Sequence, residues 1–253
     1  MENIFGKILR EWRRQRRYSQ LQLAVDLNVS SKHISFLETG RSLPSREMIL
    51  KIGSFLFLPK REINRGLHVV GFSPAYAELS NDHADLKPIF SAIDQMLENH
   101  MPYPAIVLNQ NWDVVNANDS AKSLLFELGF SDEVNLVEAF INDDQKTSKI
   151  INWRESALAV LTRLRYDISL MGGSEYLEGL EEQLSKQMML DEDISDIDRD
   201  QIVVSTRLKL GGKELSFFSI IAQLGTVQDV KVSELKVELM FPSDETTKEY
   251  YQK

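Results

Sequence analysis

Ser31, Lys32, His33 and Phe36 lie in the stretch VSSKHISFLETGRSLPS, which sets hydroxyl, ammonium and imidazole donors and one aromatic ring at helical spacing. Ser30 is suited to an N-cap and Gly40 to a left-handed C-terminal residue, so a helix is expected from Ser31 to about Thr39 with Ile34 and Leu37 turned inward. The polar residues of its first turns then face outward and can bond only to something outside the helix. Upstream, Ser19-Gln-Leu-Gln22 has the S-x-x-Q form of a capping box. It places Gln20 at a helix N-terminus, where backbone N–H groups can hold a phosphate. Arg41 opens the loop after the Gly40 stop.

The elements that position these residues fill positions 1–71. Ile4, Phe5, Ile8, Leu9 and Trp12 form a first amphipathic stripe, with Arg10, Arg13, Arg14, Arg16 and Arg17 along and beyond it. A second helix turns Leu23, Ala24 and Leu27 inward, and Asn28–Ser30 leaves room for a tight turn alone. Ser45 caps a fourth helix with Met48, Ile49, Ile52 and Phe55 inward, and Pro59 starts a fifth to about Val70, ended by Gly71. Two helices joined by so short a turn, inside five, are the geometry that lays the second helix in a DNA major groove. A solvated face of an ordinary bundle has the same pattern, and charge bears on the choice. Residues 1–66 carry a formal +7 and residues 67–253 carry −16, for a net −9. A polyanion is attracted to the first part and repelled by the second.

Zero Cys removes disulfides, thiolate zinc sites and cysteine nucleophiles together. No apolar run has bilayer length and the charged N-terminus lacks a signal-peptide core, so a cytoplasmic protein without membrane contact is expected. No G-x-S-x-G, HExxH, P-loop or GxGxxG motif stands in the chain, and no His-based triad is visible, which argues against an enzyme.

Residues 72–100 read as a weakly patterned connector (72–85) and a linking helix from about Leu86 to Asn99. In 101–253, AIVLN (105–109) and WDVVNAN (112–118) are strand-like, DSAKSLLFELG (119–129) and NWRESALAVLTRLRYDISL (152–170) helical, and DEDISDIDRD (191–200) an acidic exposed loop. QIVVSTRLKL, ELSFFSIIAQLG and VKVSELKVELMF complete five strands, with Gly211-Gly212 as a hairpin signal. The expected fold class is multidomain: an all-α five-helix domain, then an α+β domain with a five-stranded antiparallel sheet.

SQLQLAVDLNVSSKHISFLETGRSLPS closely resembles the helix-turn-helix of the xenobiotic-response-element (XRE), or lambda-repressor-like, regulators, and REMILKIGSFLFLPKREINRGLHVVGFSPAY is similar to their MmyB-like branch. PYPAIVLNQNWDVVNANDSAKSLL, the NW at 152–153, and GGKELSFFSIIAQLGTVQDVKVSELKVELMFPSDE are similar to the C-terminal ligand-binding domain of that branch, which has a PAS-like fold. The resemblance implies a bacterial transcription regulator, commonly a homodimer on a two-fold operator, whose second domain can hold a long-chain fatty acid. It implies base or groove-wall positions for Ser31, Lys32, His33 and Phe36, and a phosphate-contacting and packing position for Gln20. It also implies a buried pair of Arg13 with Glu38. Phe36 departs from the small polar residue common there; a thymine methyl contact and simple packing are both open.

PAS-like domains elsewhere hold haem, flavin or small organic ligands. Residues 101–253 contain neither His nor Cys, so the protein partner of a His-ligated haem or a Cys-flavin adduct is missing. An apolar ligand needs a greasy cavity and one polar anchor, with no further cofactor. Candidate lining residues are Trp112, Trp153, Leu158, Leu161, Phe217 and Phe218, and Arg154, Arg163, Arg165 or Arg207 are candidates for a head group. The other reading is a fatty-acid-binding protein whose helical domain serves protein contacts.

Overall fold

The computed structural model describes residues 3–131, 134–145, 147–189 and 203–252. The acidic tract 191–200 lies outside them. The chain divides into two compact units, one of Met1–Glu78 with Tyr166–Ser174 and Gln228–Val230, the other of the remainder.

In the first unit α1 (Ile4–Gln15), α2 (Gln20–Asp26), α3 (Ser31–Thr39), α4 (Arg46–Phe55) and α5 (Lys60–His68) follow one another. The starts of α1–α4 are set by side-chain caps: Asn3, Ser19, Ser30 and Ser45 each accept a hydrogen bond from a first-turn N–H, and Ser19 with Gln22 completes the capping box, while α5 follows Pro59 without one. Leu9, Leu23, Ile34, Leu37, Ile49, Ile52 and Leu67 are wholly buried in one core. Burying each such side chain stabilises by about 1.5–3 kcal/mol, which short helices need because alone they are marginal. Gly66 is required by packing, since a Cβ there would stand 2.4 Å from the Trp12 ring.

The expected connector is tied down in its first part. Phe72, Ala75 and Tyr76 pack on the helical core. Asn64 Oδ1 accepts from the N–H groups of Ala75 and Tyr76, and its Nδ2 donates to Tyr76 O. A turn of 3-10 helix at Ala84–Leu86 then leads into α6 (Lys87–Asn99).

The remaining elements are β1 (Ala105–Leu108), β2 (Val114–Ala117), α7 (Asp119–Leu128), α8 (Leu136–Asn142), α9 (Trp153–Met171), α10 (Glu175–Met189), β3 (Thr206–Leu210), β4 (Lys213–Gln223), α11 (Val230–Ser233), β5 (Lys236–Pro242) and α12 (Glu245–Tyr251). The strands form one antiparallel sheet in the order β2-β1-β5-β4-β3. The β3–β4 hairpin turns at Gly211-Gly212, both at positive φ. Each edge strand is partly covered, β2 by the bridge Asp113–Asn135 and β3 by the bridge Ile150–Leu208. That leaves less unpaired edge for another chain to add to.

VKVSELKVELMF is half strand. Val230–Ser233 makes a single helical turn with Val230 and Val232 buried. Lys236 is the first residue that pairs, and it meets the last paired residues of both neighbours, Gln223 of β4 and Leu108 of β1. Earlier residues would have no ladder to join.

Candidate nucleic-acid interface and ligand site

α3 shows its two sides clearly. Ile34, Leu37 and Glu38 are buried. At about 100° per residue, Lys32, Phe36 and Thr39 fall opposite them. Ser31 and Lys32 are exposed, His33 and Phe36 half-buried, and Arg41 is exposed just past the left-handed Gly40. The Lys32 ammonium lies 5.4 Å and the Arg41 guanidinium 5.6 Å from the centre of the Phe36 ring, within cation–π range.

Behind this surface a buried ion pair fixes α3. Arg13 Nε donates to Glu38 Oε1 at 2.6 Å and Nη2 to Oε2 at 3.1 Å, while Nη1 donates to Tyr18 O. Gln20 Nε2 donates to Glu38 Oε2 at 2.7 Å, so its amide N–H group serves the interior network. Burial opposes ionisation of Glu38, but the hydrogen bonds from Arg13 and Gln20 and the charges of Arg13 and Arg10 outweigh it, and the carboxyl is held below its ordinary range.

In the second unit strand register assigns every sheet residue to a face. Ile221 and Ile106 both pair with Glu238, and Phe217 lies on the same face because it is an even number of residues from Ile221. α9 covers this face, since Arg163 Nη1 and Nη2 each donate to Glu238 Oε2 at 3.1 Å. The Arg163 guanidinium lies 4.8 Å from the centre of the buried Trp112 ring, and the Lys236 ammonium 5.6 Å. The opposite face packs on α6, with Ile93 and Leu97 against Ala105, Val107 and Val237.

These faces separate the candidate ligand residues. Trp112, Trp153 and Leu161 are buried and Leu158 half-buried, with Arg163 from α9 reaching Trp112. Phe217 is 1% exposed, edge-on to Tyr251 of α12. Phe218 points to the α6 face, where it stacks on Phe241 at 5.5 Å. The two phenylalanines do not line one cavity, because neighbouring strand residues point opposite ways. Arg207 pairs with Ser216, one residue from Phe217, so it too lies on the α6 face, exposed and 3.3 Å from Glu214. Arg154 stands half-buried in the first turn of α9, and Arg165 is committed to Glu181 on α10. Trp153 is 4% exposed, and its indole Nε1 has no hydrogen-bond partner among the described residues.

Residues 9–63 match the family described as helix-turn-helix, and residues 89–253 match the MmyB-like transcription regulator ligand binding domain. The chain belongs to the MmyB-like transcription regulators. It is also similar to the uncharacterized HTH-type transcriptional regulator RghRB of Bacillus subtilis (strain 168), at 30% identity over 117 residues, which are 46% of this chain and 82% of that protein. An MmyB-like regulator is a helix-turn-helix DNA-binding transcription regulator with a ligand-binding domain, and not an enzyme. Among the described residues no helix is long and apolar enough to cross a membrane.

Sequence reasoning left Arg163 as one arginine of four and did not single out Glu238. The only signal for the pair was a charge on each of two otherwise amphipathic elements, and register alone brings them together. Asn118 was likewise passed over. It is buried, its Oδ1 accepts from Ala105 N and Ala121 N, and its Nδ2 donates to Leu97 O and Tyr103 O. It therefore joins β1, α6 and the start of α7.

Proposed function

We propose that this regulator binds operator DNA as a homodimer in the cytoplasm. α3 reads the major groove through Ser31, Lys32, His33 and Phe36, Arg41 contacts the backbone, and the first turn of α2, at Gln20, lies near a phosphate. The supporting observation is the outward face of α3, which carries donors and cations opposite a fully buried face. Duplex binding by the full chain is expected to fall steeply with salt, because neutralising phosphates releases counterions. Binding that is weak at low salt and indifferent to ionic strength would remove the reading.

The ligand is a long-chain fatty acid held in the second unit among Trp112, Trp153, Leu158, Leu161 and Phe217, with Arg163 and Arg154 as the cations on α9. The observation that carries this is Trp153: a buried indole N–H without an acceptor is costly, and a ligand oxygen would satisfy it. The Phe140 ring lies 6.0 Å from that of Trp153, and each buried methylene is worth about 0.8 kcal/mol, so a chain of roughly a dozen carbons supplies affinity without strong polar contacts. Mass spectrometry of small molecules released from purified, colourless protein is expected to find fatty acid. Trp153→Phe is expected to weaken uptake with little change in unfolding midpoint. Equal thermal shifts for both proteins across a fatty-acid series would take Trp153 out of the site, and no shift for either would remove the fatty acid.

A further inference from the structure

Phe36 is an apolar ring on the side of α3 away from the core. Ile34, Leu37 and Glu38 occupy the buried side. The half-buried hydrophobic side chains that pack on the helical core include Tyr18, Phe55 and Tyr76, and among the described residues Phe36 is not one of them. Its neighbours are two cations, the exposed Lys32 and Arg41, each within 6 Å of the ring centre. Packing into the core therefore does not explain a phenylalanine here.

The chemistry of the groove supplies an explanation. Base edges in the major groove offer hydrogen-bond donors and acceptors of several kinds, but a single apolar group, the C5-methyl of thymine. A ring on the reading face can gain selectively from that group and from no other base edge. The cations beside it answer the difficulty of bringing an apolar ring into a polyanion, because their positive charge stands next to the ring and Arg41 meets the backbone. They also favour one ring position through cation–π contact, so less side-chain freedom is lost on binding. Resting on the operator-reading proposal above, we infer that Phe36 is a specificity-determining residue that recognises a thymine methyl in each half-site, with Lys32 and Arg41 holding the ring at the groove.

The test uses the full chain. Binding sites are selected from randomised duplex with the wild type and with Phe36→Ala, and every thymine of the selected site is then replaced singly by deoxyuridine, which removes only the methyl. The wild type is expected to demand thymine at one position of each half-site, and deoxyuridine there is expected to weaken it about fourfold, the worth of one methyl-sized group. Phe36→Ala is expected to accept any base at that position and to bind the thymine and deoxyuridine duplexes equally. Phe36→Leu, with an apolar but non-aromatic side chain, is expected to retain part of the preference. Circular dichroism compares the fold of the variants, and the deoxyuridine scan on the wild type does not depend on them. An unchanged thymine preference in Phe36→Ala, or a scan without effect at every thymine, overturns the inference and leaves operator binding standing. A wild-type selection that enriches no site overturns operator reading, and the inference with it.

Discussion

Lys32, His33 and Glu38 sit within two turns of one helix and answer to different physics. Lys32→Ala and His33→Ala are each expected to weaken specific binding by about 1–3 kcal/mol while leaving binding to random duplex much less affected. Competition titrations against both duplexes measure this, and equal losses on the two would make the residue a phosphate contact. Glu38 acts on stability. Its side chain is 1% and that of Arg13 10% exposed, so Glu38→Gln strands a buried guanidinium and is expected to cost about 3–5 kcal/mol in denaturant unfolding. The pH dependence has a definite sign. Because the folded-state pKa lies below the ordinary 4.5, the stabilisation is present above that value and is lost as the pH falls through the folded pKa. Unfolding midpoints of wild type and Glu38→Gln should therefore converge on acidification.

Asn118 belongs to the scale of elements, since it caps α7 and ties β1 to the end of α6 through four hydrogen bonds. Asn118→Ala takes the side-chain partner from the N–H groups of Ala105 in β1 and Ala121 in α7 and from the carbonyl of Tyr103, while the Leu97 carbonyl of α6 keeps the His100 N–H. It is expected to destabilise the second unit by about 2–4 kcal/mol, read by urea denaturation, whereas a simple cap loss would cost about 1 kcal/mol. A loss no greater than that would mean that water replaces the asparagine. Gly211-Gly212 was legible as a hairpin because a turn at positive φ has a composition of its own. α10 carried an equally plain signal, Leu177, Leu180 and Leu184 on one buried face, although sequence reasoning assigned no element between 171 and 190.

Over the whole molecule charge is divided, +7 in residues 1–66 and −16 in the rest. The slope of log affinity against log salt should therefore report contacts of the first unit, at about −0.9 for each phosphate neutralised. Arg41→Ala is expected to reduce that slope by about one unit. Limited proteolysis offers a separate check on chain organisation. Asn64 ties Ala75 and Tyr76 to the helical core, while residues 80–85 are exposed. Cleavage is expected in 80–85 rather than across the broader 72–85, as proteases need backbone that can leave its partners. A first cut at 72–76 would show that the asparagine contacts do not hold.

What the sequence determined by itself is what depends on neighbours along the chain: serine caps, a left-handed glycine, apolar stripes of helical period, the Gly-Gly hairpin and the charge of each part. These placed α1–α5, the outward face of α3 and all five strands, because short-range hydrogen bonds and burial periodicity leave their marks within a few residues. Facing across the sheet leaves no such mark. Phe217 and Phe218 look alike in sequence, yet register sends one to the α9 face and the other to the α6 face. Arg163 and Arg207 look alike too, yet one pairs with Glu238 under α9 and the other with Glu214 on the exposed side. Val230 and Val232 alternate like strand residues, yet both neighbouring strands end opposite Lys236. Each outcome rests on a partner more than ten residues away or on where another strand stops, or, for Arg207, on which sheet face register gives it, and only the tertiary structure contains that information.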